Sequence, residues 1–307
     1  MKTAPISEEF GTRIVAADKS NIFAIDQENI RTLFKKSGVL LFRNFDINTD
    51  KFEQFTNLFG TEFMHYIGGA QVRKIINKNG DQTISSVNFY TDSDKQQKRT
   101  FKLPLHGEMF YTKSRPTLLW FYCVAPPLKD GETTVCDGVQ VYQELSEATK
   151  NLFKTKRIKY IRHYANGEWQ GRFQTDDLSE LAKFCQESDL HLKIDKDTQA
   201  ITTEYVYPAI VKTRWGGQEA FLNSILIVEW QEAAGKTDSI VRLEDNSRIP
   251  DDVLLELQEV TERLTYLISW QRGDILMIDN TRMLHGRRAF SDQQRELYTR
   301  MCRSVPW

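Results

Sequence analysis

Leu103-Pro104-Leu105-His106-Gly107-Glu108-Met109-Phe110-Tyr111 is the stretch on which the reading of this chain turns. On an extended strand, residues two apart point to one face, so His106 and Glu108 present an imidazole and a carboxylate together. They are two members of a 2-His-1-carboxylate set, the ligand arrangement of non-heme Fe(II) oxygenases. The third ligand must be a distant histidine. His285 fills that place, in Met283-Leu284-His285-Gly286-Arg287, shortly after the apolar run 275–278. His65, His163 and His191 have no ligand-like neighbours and read as ordinary histidines.

Working outward, short apolar runs broken by turns dominate. Residues 27–37 carry Ile30, Leu33 and Phe34 at helical spacing, Gly38 stops the helix, and 39–42 follows as a buried strand. Residues 51–59 read as a second helix. Strands are expected at 117–124, 132–135, 158–164, 204–212, 220–222, 275–278 and 297–302, and helices at 141–153 and 250–268. The stretch 166–202 is polar and irregular apart from a helix at 177–188; it is either a lid or a surface excursion. Many short strands with a few peripheral helices predict a mainly β fold, a jelly roll (double-stranded β-helix, cupin-like), formed by residues 1–307 as one domain.

Composition narrows the function classes. Of 307 residues, 40% are hydrophobic and 27% charged, as in ordinary globular proteins, and the net charge of −1 asks for neither nucleic acid nor an anionic membrane. No apolar h-region opens the chain and no run is long enough to span a bilayer, so a cytoplasmic protein is expected. Cys123, Cys136, Cys185 and Cys302 form no Cys-x-x-Cys pair and suit buried thiols in a reducing compartment.

Iron held by two imidazoles and one carboxylate keeps three positions open. A 2-oxo acid fills two and dioxygen the third, so the expected cofactor and cosubstrates are Fe(II), 2-oxoglutarate and O2. The far carboxylate of 2-oxoglutarate needs a buried cation, preferably a bidentate arginine, and a hydroxyl. Arg295 lies on the strand returning after His285; Arg300, the alternative, faces the other way by strand alternation. Thr133, in Gly131-Glu132-Thr133, offers the hydroxyl.

With these residues in order, the chain resembles the taurine dioxygenase (TauD/TfdA) family of Fe(II)/2-oxoglutarate-dependent oxygenases, nearest its clavaminate-synthase-like branch. His106-Gly107-Glu108, then Asp130-Gly131-Glu132-Thr133, then His285 followed by Arg295 match the family pattern. The resemblance implies that His106, Glu108 and His285 bind iron and that Thr133 and Arg295 hold the 2-oxoglutarate tail. Ser37 to Phe45, Trp169 with Phe173, Thr175 and Asp176, and Phe221 to Ser224 also look like family stretches. Two positions depart from the pattern. Several relatives carry a second, substrate-contacting arginine where this chain has Thr299, so either a bulge shifts the register or that contact is absent. Asp130 replaces a glycine and alters only a turn. Glu108 itself argues against the halogenases of this superfamily, which lack the carboxylate.

The resemblance implies hydroxylation of an unactivated C–H bond in a small amino-acid-like substrate, free or tethered to a carrier protein, in specialised metabolism, with release of succinate and CO2. The same oxidant gives desaturation, epoxidation or cyclisation when the substrate lies differently. Asn88, Tyr90, Trp169, Arg172 and Asn223 are the substrate-facing candidates, each with a structural role as its alternative. Two readings of other classes remain at this point: a zinc hydrolase or isomerase on a cupin-like barrel, and a non-catalytic binding protein.

Overall fold

Alternation along three apolar strands explains how the layers assemble. In Val39–Phe45, Leu118–Ala125 and Ile275–Asp279, successive side chains go to opposite faces, and both faces are apolar. Leu41, Leu119, Phe121, Leu276 and Ile278 enter one core; Leu40, Phe42, Trp120, Tyr122 and Met277 enter another. The computed structural model describes residues 2–8, 10–66, 73–87, 101–291 and 294–307.

These strands lie within an eight-stranded sheet whose path runs Lys2–Pro5, Thr12–Ser20, Val39–Phe45, Ile275–Asp279, Leu118–Ala125, Glu296–Ser304 and Glu62–Met64, with Ser85–Ser86 pairing beside Glu296–Ser304. Helices Gln27–Ser37 and Thr49–Asn57 cover one face through Phe34, Phe52 and Phe55. The first helix starts where Asp26 accepts the backbone N–H groups of Glu28 and Asn29, and ends where Gly38 turns left-handed.

The other face packs on a four-stranded antiparallel sheet ordered Tyr266–Ile268, Thr133–Asp137, Met283–Arg287 and Leu103–His106. Val135, Cys136 and Leu284 from it join the first core. A third sheet, His191–Ile194, Ile201–Tyr207, Ile158–Tyr164 and Ser239–Leu243, stands beside this pair. The architecture is thus mostly sheet with peripheral helices, as the sequence predicts.

Three expectations need correction. Residues 141–153 form two helices, Gly138–Glu144 and Glu147–Thr155, because Leu145 is extended and Ser146 caps the second. The helix expected over 250–268 ends at Arg263; Tyr266–Ile268 is a strand that pairs with residues 133–135. In the stretch 166–202 the helix expected at 177–188 is present as Leu178–Glu187, but the remainder is not irregular. Helices Glu168–Phe173 and Leu178–Glu187 bury Trp169, Phe173, Leu181 and Cys185 in a small core of their own. All four cysteines are buried and free. No helix among the described residues is long and apolar enough to cross a membrane.

Candidate active site

Strand register brings the ligand set together. His285 on Met283–Arg287 sits directly opposite His106 at the end of Leu103–His106, and the two ring centroids are 4.5 Å apart. Glu108 is not on the strand, as the sequence reading has it, but in the turn that follows. Its Oε2 lies 3.6 Å from His285 Nε2, and ligand atoms of His106, Glu108 and His285 all fall within 4.8 Å of one another. All three side chains are buried.

That turn is held by hydrogen bonds from distant segments. Gly107 N–H donates to Asn223 O at 2.8 Å, and Ser224 Oγ donates to Gly107 O at 2.9 Å. Asn280 grips Glu108 twice: its Oδ1 accepts Glu108 N–H at 2.8 Å, and its Nδ2 donates to Glu108 O at 3.1 Å. Glycine is required between the ligands because a Cβ at position 107 would run into the Phe110 ring. At Gly286 a Cβ would collide with Leu103 O on the neighbouring strand, so glycine there lets the two histidine-bearing strands approach.

The same cavity, about 260 Å³, reaches Thr133 and Arg295. Thr133 Oγ1 accepts from Trp270 Nε1 at 3.1 Å, which directs its own proton elsewhere. Arg295 is buried, and its Nε donates to Gly131 O at 3.0 Å. Arg287, not proposed as a site residue from the sequence, is in register with Thr133 and lines the cavity as well. Phe290 is shared by the two arginines, each guanidinium carbon 5.0 Å from its ring centroid. The signal for Arg287 is its position two residues after His285 on one strand, hence on the same face.

Arg300 goes the other way, and its reading as an alternative 2-oxoglutarate anchor is corrected. Its guanidinium enters the helix-covered face, donating to Thr83 Oγ1 at 2.8 Å, Glu53 O at 2.9 Å and Asn57 Oδ1 at 2.8 Å, as well as to Thr56 and Asp81. Thr299 is buried on strand Glu296–Ser304, which begins just after Arg295, and no bulge there brings a second arginine to its position. Other candidates fall outside the cavity wall. Asn223 spends its side chain on Ala209 O and Ile225 N–H. Trp169 is buried in the small core with Nε1 donating to Gln199 O, and Arg172 pairs with Glu168. None of residues 166–202 lines the cavity, so of the two readings of that stretch the surface excursion agrees better with its position. Asn88 and Tyr90 lie outside the described residues.

Electrostatics suits a cation among these ligands. Burial, then the neighbouring His285, pushes His106 down to about 4, so the ring is neutral near pH 7, the form that coordinates metal. Its Nδ1 is engaged by Pro104 O at 2.8 Å, which leaves Nε2 for coordination. Glu108 stays ionised: against the cost of burial, Arg73, whose Nη2 donates to its Oε2 at 3.2 Å, and His285 hold it below the usual carboxylate range. His285 Nδ1 is buried with no hydrogen-bond partner among the described residues. Two imidazoles and a carboxylate desolvated together are costly, and a divalent metal offsets that cost. The donor set fits Fe(II).

Comparison with known proteins agrees with this geometry. The family model described as taurine catabolism dioxygenase TauD, TfdA family matches residues 2–302. A clavaminate synthase-like protein of Arabidopsis thaliana is 26% identical over 287 residues, covering 89% of this chain and 83% of that protein. The dapdiamide synthesis protein DdaC of Enterobacter agglomerans is 26% identical over 284 residues, covering 86% of this chain and 82% of its own. A solved taurine dioxygenase from Burkholderia xenovorans superposes with a TM-score of 0.61 at 14% identity, covering 98% of this chain and 88% of that one, a likeness of fold.

Proposed function

The chain belongs to the taurine catabolism dioxygenase TauD, TfdA family and is an oxygenase dependent on Fe(II), 2-oxoglutarate and O2; from that premise we propose that His106, Glu108 and His285 are its iron ligands. The observation that carries the assignment is the convergence of those three side chains with Thr133 and Arg295 on one buried cavity. Family membership sets aside the hydrolase and binding-protein readings. The two main sheets, sharing one core across the site, are the double-stranded β-helix, and residues 1–307 form one domain.

When bound, the iron with its two cosubstrates supplies an oxidant able to take hydrogen from an unactivated C–H bond, while 2-oxoglutarate leaves as succinate and CO2. The protein's part is geometry and exclusion of water. Arg295 and the Thr133 hydroxyl hold the tail carboxylate of 2-oxoglutarate, with Arg287 as a second cation beside it. Arg295 cannot swing away, because Gly131 O holds its Nε and Phe290 lies along it. Asn280 and Ser224 fix the backbone on either side of the Glu108 turn, which keeps the carboxylate beside the two histidines that would hold the metal with it.

The prime substrate is a small amino-acid-like molecule, free or carrier-bound, and hydroxylation is the expected outcome, with desaturation, epoxidation and cyclisation open to the same oxidant. A cavity of about 260 Å³, near the lower edge of the ~300–1,000 Å³ usual for ligand pockets, favours a small substrate. The relative named for dapdiamide synthesis supports a place in specialised metabolism. Succinate formation from 2-oxoglutarate, measured with Fe(II) and oxygen, tests the assignment. It should require iron and vanish in His106→Ala. Undiminished turnover in that variant would refute His106 as a ligand.

A further inference from the structure

The cavity wall beside Glu108 is built differently from the wall at Thr133 and Arg295. Strand Ile158–Tyr164 alternates, and its buried positions are Ile158, Tyr160, Arg162 and Tyr164. Tyr160 Oη accepts Ser224 N–H at 2.7 Å, and Ser224 in turn holds Gly107 O, so this strand is tied to the loop joining two ligands. Two positions along, Arg162 is buried with its guanidinium carbon 3.5 Å from the centroid of the Tyr111 ring. Arg73 forms a parallel pair with Tyr66, carbon to centroid 4.0 Å, while its Nη2 donates to Glu108. Arg73, Arg162, Tyr66 and Tyr111 all line the cavity.

Resting on the oxygenase reading above, we propose that Arg162, seated on Tyr111 with Tyr66 nearby, receives a carboxylate of the prime substrate. The substrate is then a free acid rather than an amide or a thioester-tethered acyl group. Tyr164 bonds this guanidinium and the Tyr111 ring lies against it, partners that fix the cation in place without neutralising its buried charge, which is costly to keep. At a cavity wall it has a use. Stacking on an aromatic face fixes the plane of the fork, and a fixed fork matches a carboxylate bidentately. Arg73 does other work, since its ion pair with Glu108 offsets the charge of the metal ligand. Arg287 and Arg295 stand with Thr133 at the 2-oxoglutarate end, and position 299 contributes no cation. Two anions are thereby bound by separate groups of residues that line the cavity of the metal ligands.

The test uses protein loaded with Fe(II) and 2-oxoglutarate. The probes are the proteinogenic L-amino acids, each beside its primary amide and its N-acetylcysteamine thioester, with succinate release as readout. At least one acid should raise release well above the uncoupled rate while its amide and thioester do not. Arg162→Gln should raise the KM of that acid ~30-fold or more, with 2-oxoglutarate binding, followed by the anaerobic charge-transfer band, retained. Arg162→Lys, which keeps the charge and loses the fork, should give a smaller rise and carries the test if the glutamine variant does not fold. Equal stimulation by amides or thioesters, no stimulation by any acid, or an unchanged KM in Arg162→Gln would each overturn the proposal alone. A wild type without the 2-oxoglutarate band would instead overturn the oxygenase reading beneath it.

Discussion

Asn280→Ala is the perturbation whose consequences the structure fixes most closely. Asn280 is 1% exposed and makes three side-chain hydrogen bonds: it accepts from Glu108 N–H at 2.8 Å and donates to Glu108 O at 3.1 Å and to Pro116 O at 2.8 Å. Truncation leaves one buried N–H and two carbonyl groups without these partners. At ~1–3 kcal/mol for each group left unsatisfied, and with carbonyls at the low end, the loss comes to ~3–5 kcal/mol. That is a large share of the ~5–15 kcal/mol that holds a typical domain. The lost contacts also release the backbone of Glu108, so metal affinity should fall ~10–100-fold, the usual effect of removing a group that orients a ligand. Urea unfolding of the metal-free protein reads the first effect and Fe(II) titration under anaerobic conditions reads the second. A loss below ~1 kcal/mol with unchanged metal affinity would refute the clamp.

Other expectations follow from the same contacts. Arg295→Ala should weaken 2-oxoglutarate binding by ~30-fold or more, as expected when one partner of a buried charge pair is removed, and Thr133→Val more mildly; direct 2-oxoglutarate titration of both variants checks the order. Arg300→Met should cost ~3 kcal/mol of stability or more by stranding its buried partners, yet leave 2-oxoglutarate affinity unchanged, because its guanidinium faces Thr83, Glu53 and Asn57; weakened 2-oxoglutarate binding would move the anchor to it. Asp279 is pushed up to about 6, chiefly by burial, with its bonds to Thr281 opposing. Its folded pKa is raised, so its contribution is fully present below the unfolded value near 4 and lost as pH rises through about 6. Asp279→Asn should therefore flatten the stability profile between those limits, a change of up to ~3 kcal/mol; an unaltered profile from urea midpoints would exclude the effect.

How far the sequence carries depends on whether a contact is local. His106 and Glu108 are two residues apart, and His285 follows an apolar strand, so the set is visible as spacing. The choice between Arg295 and Arg300 follows from alternation, which survives because the register shift near Glu296 skips Val124 on the partner strand rather than lengthening the arginine-bearing one. Asn280 is invisible in that way: its partners Glu108 and Pro116 are more than a hundred residues distant in the chain. Arg162 is hidden in another way, since an arginine in an alternating strand reads as an outward side chain, and the partners that turn it inward, Tyr111 and Tyr164 at the cavity wall, show only in the fold. Asn223 and Trp169 fail as substrate contacts for the opposite reason; their polar atoms are taken up by backbone groups. The helix expected over 250–268 overruns because Leu264 continues its apolar period, whereas the open edge of Thr133–Asp137 captures residues 266–268 as a strand.

The central claim is that His106, Glu108 and His285 hold iron to which 2-oxoglutarate binds with its tail on Arg295. Anaerobic titration of the Fe(II)-loaded protein with 2-oxoglutarate, followed by the weak visible metal-to-ligand charge-transfer band, tests it without knowledge of the substrate. The band should appear in wild type, be abolished in His106→Ala, and need far higher 2-oxoglutarate in Arg295→Ala. A folded, iron-loaded wild type with no band, or a band untouched by His106→Ala, would contradict the account.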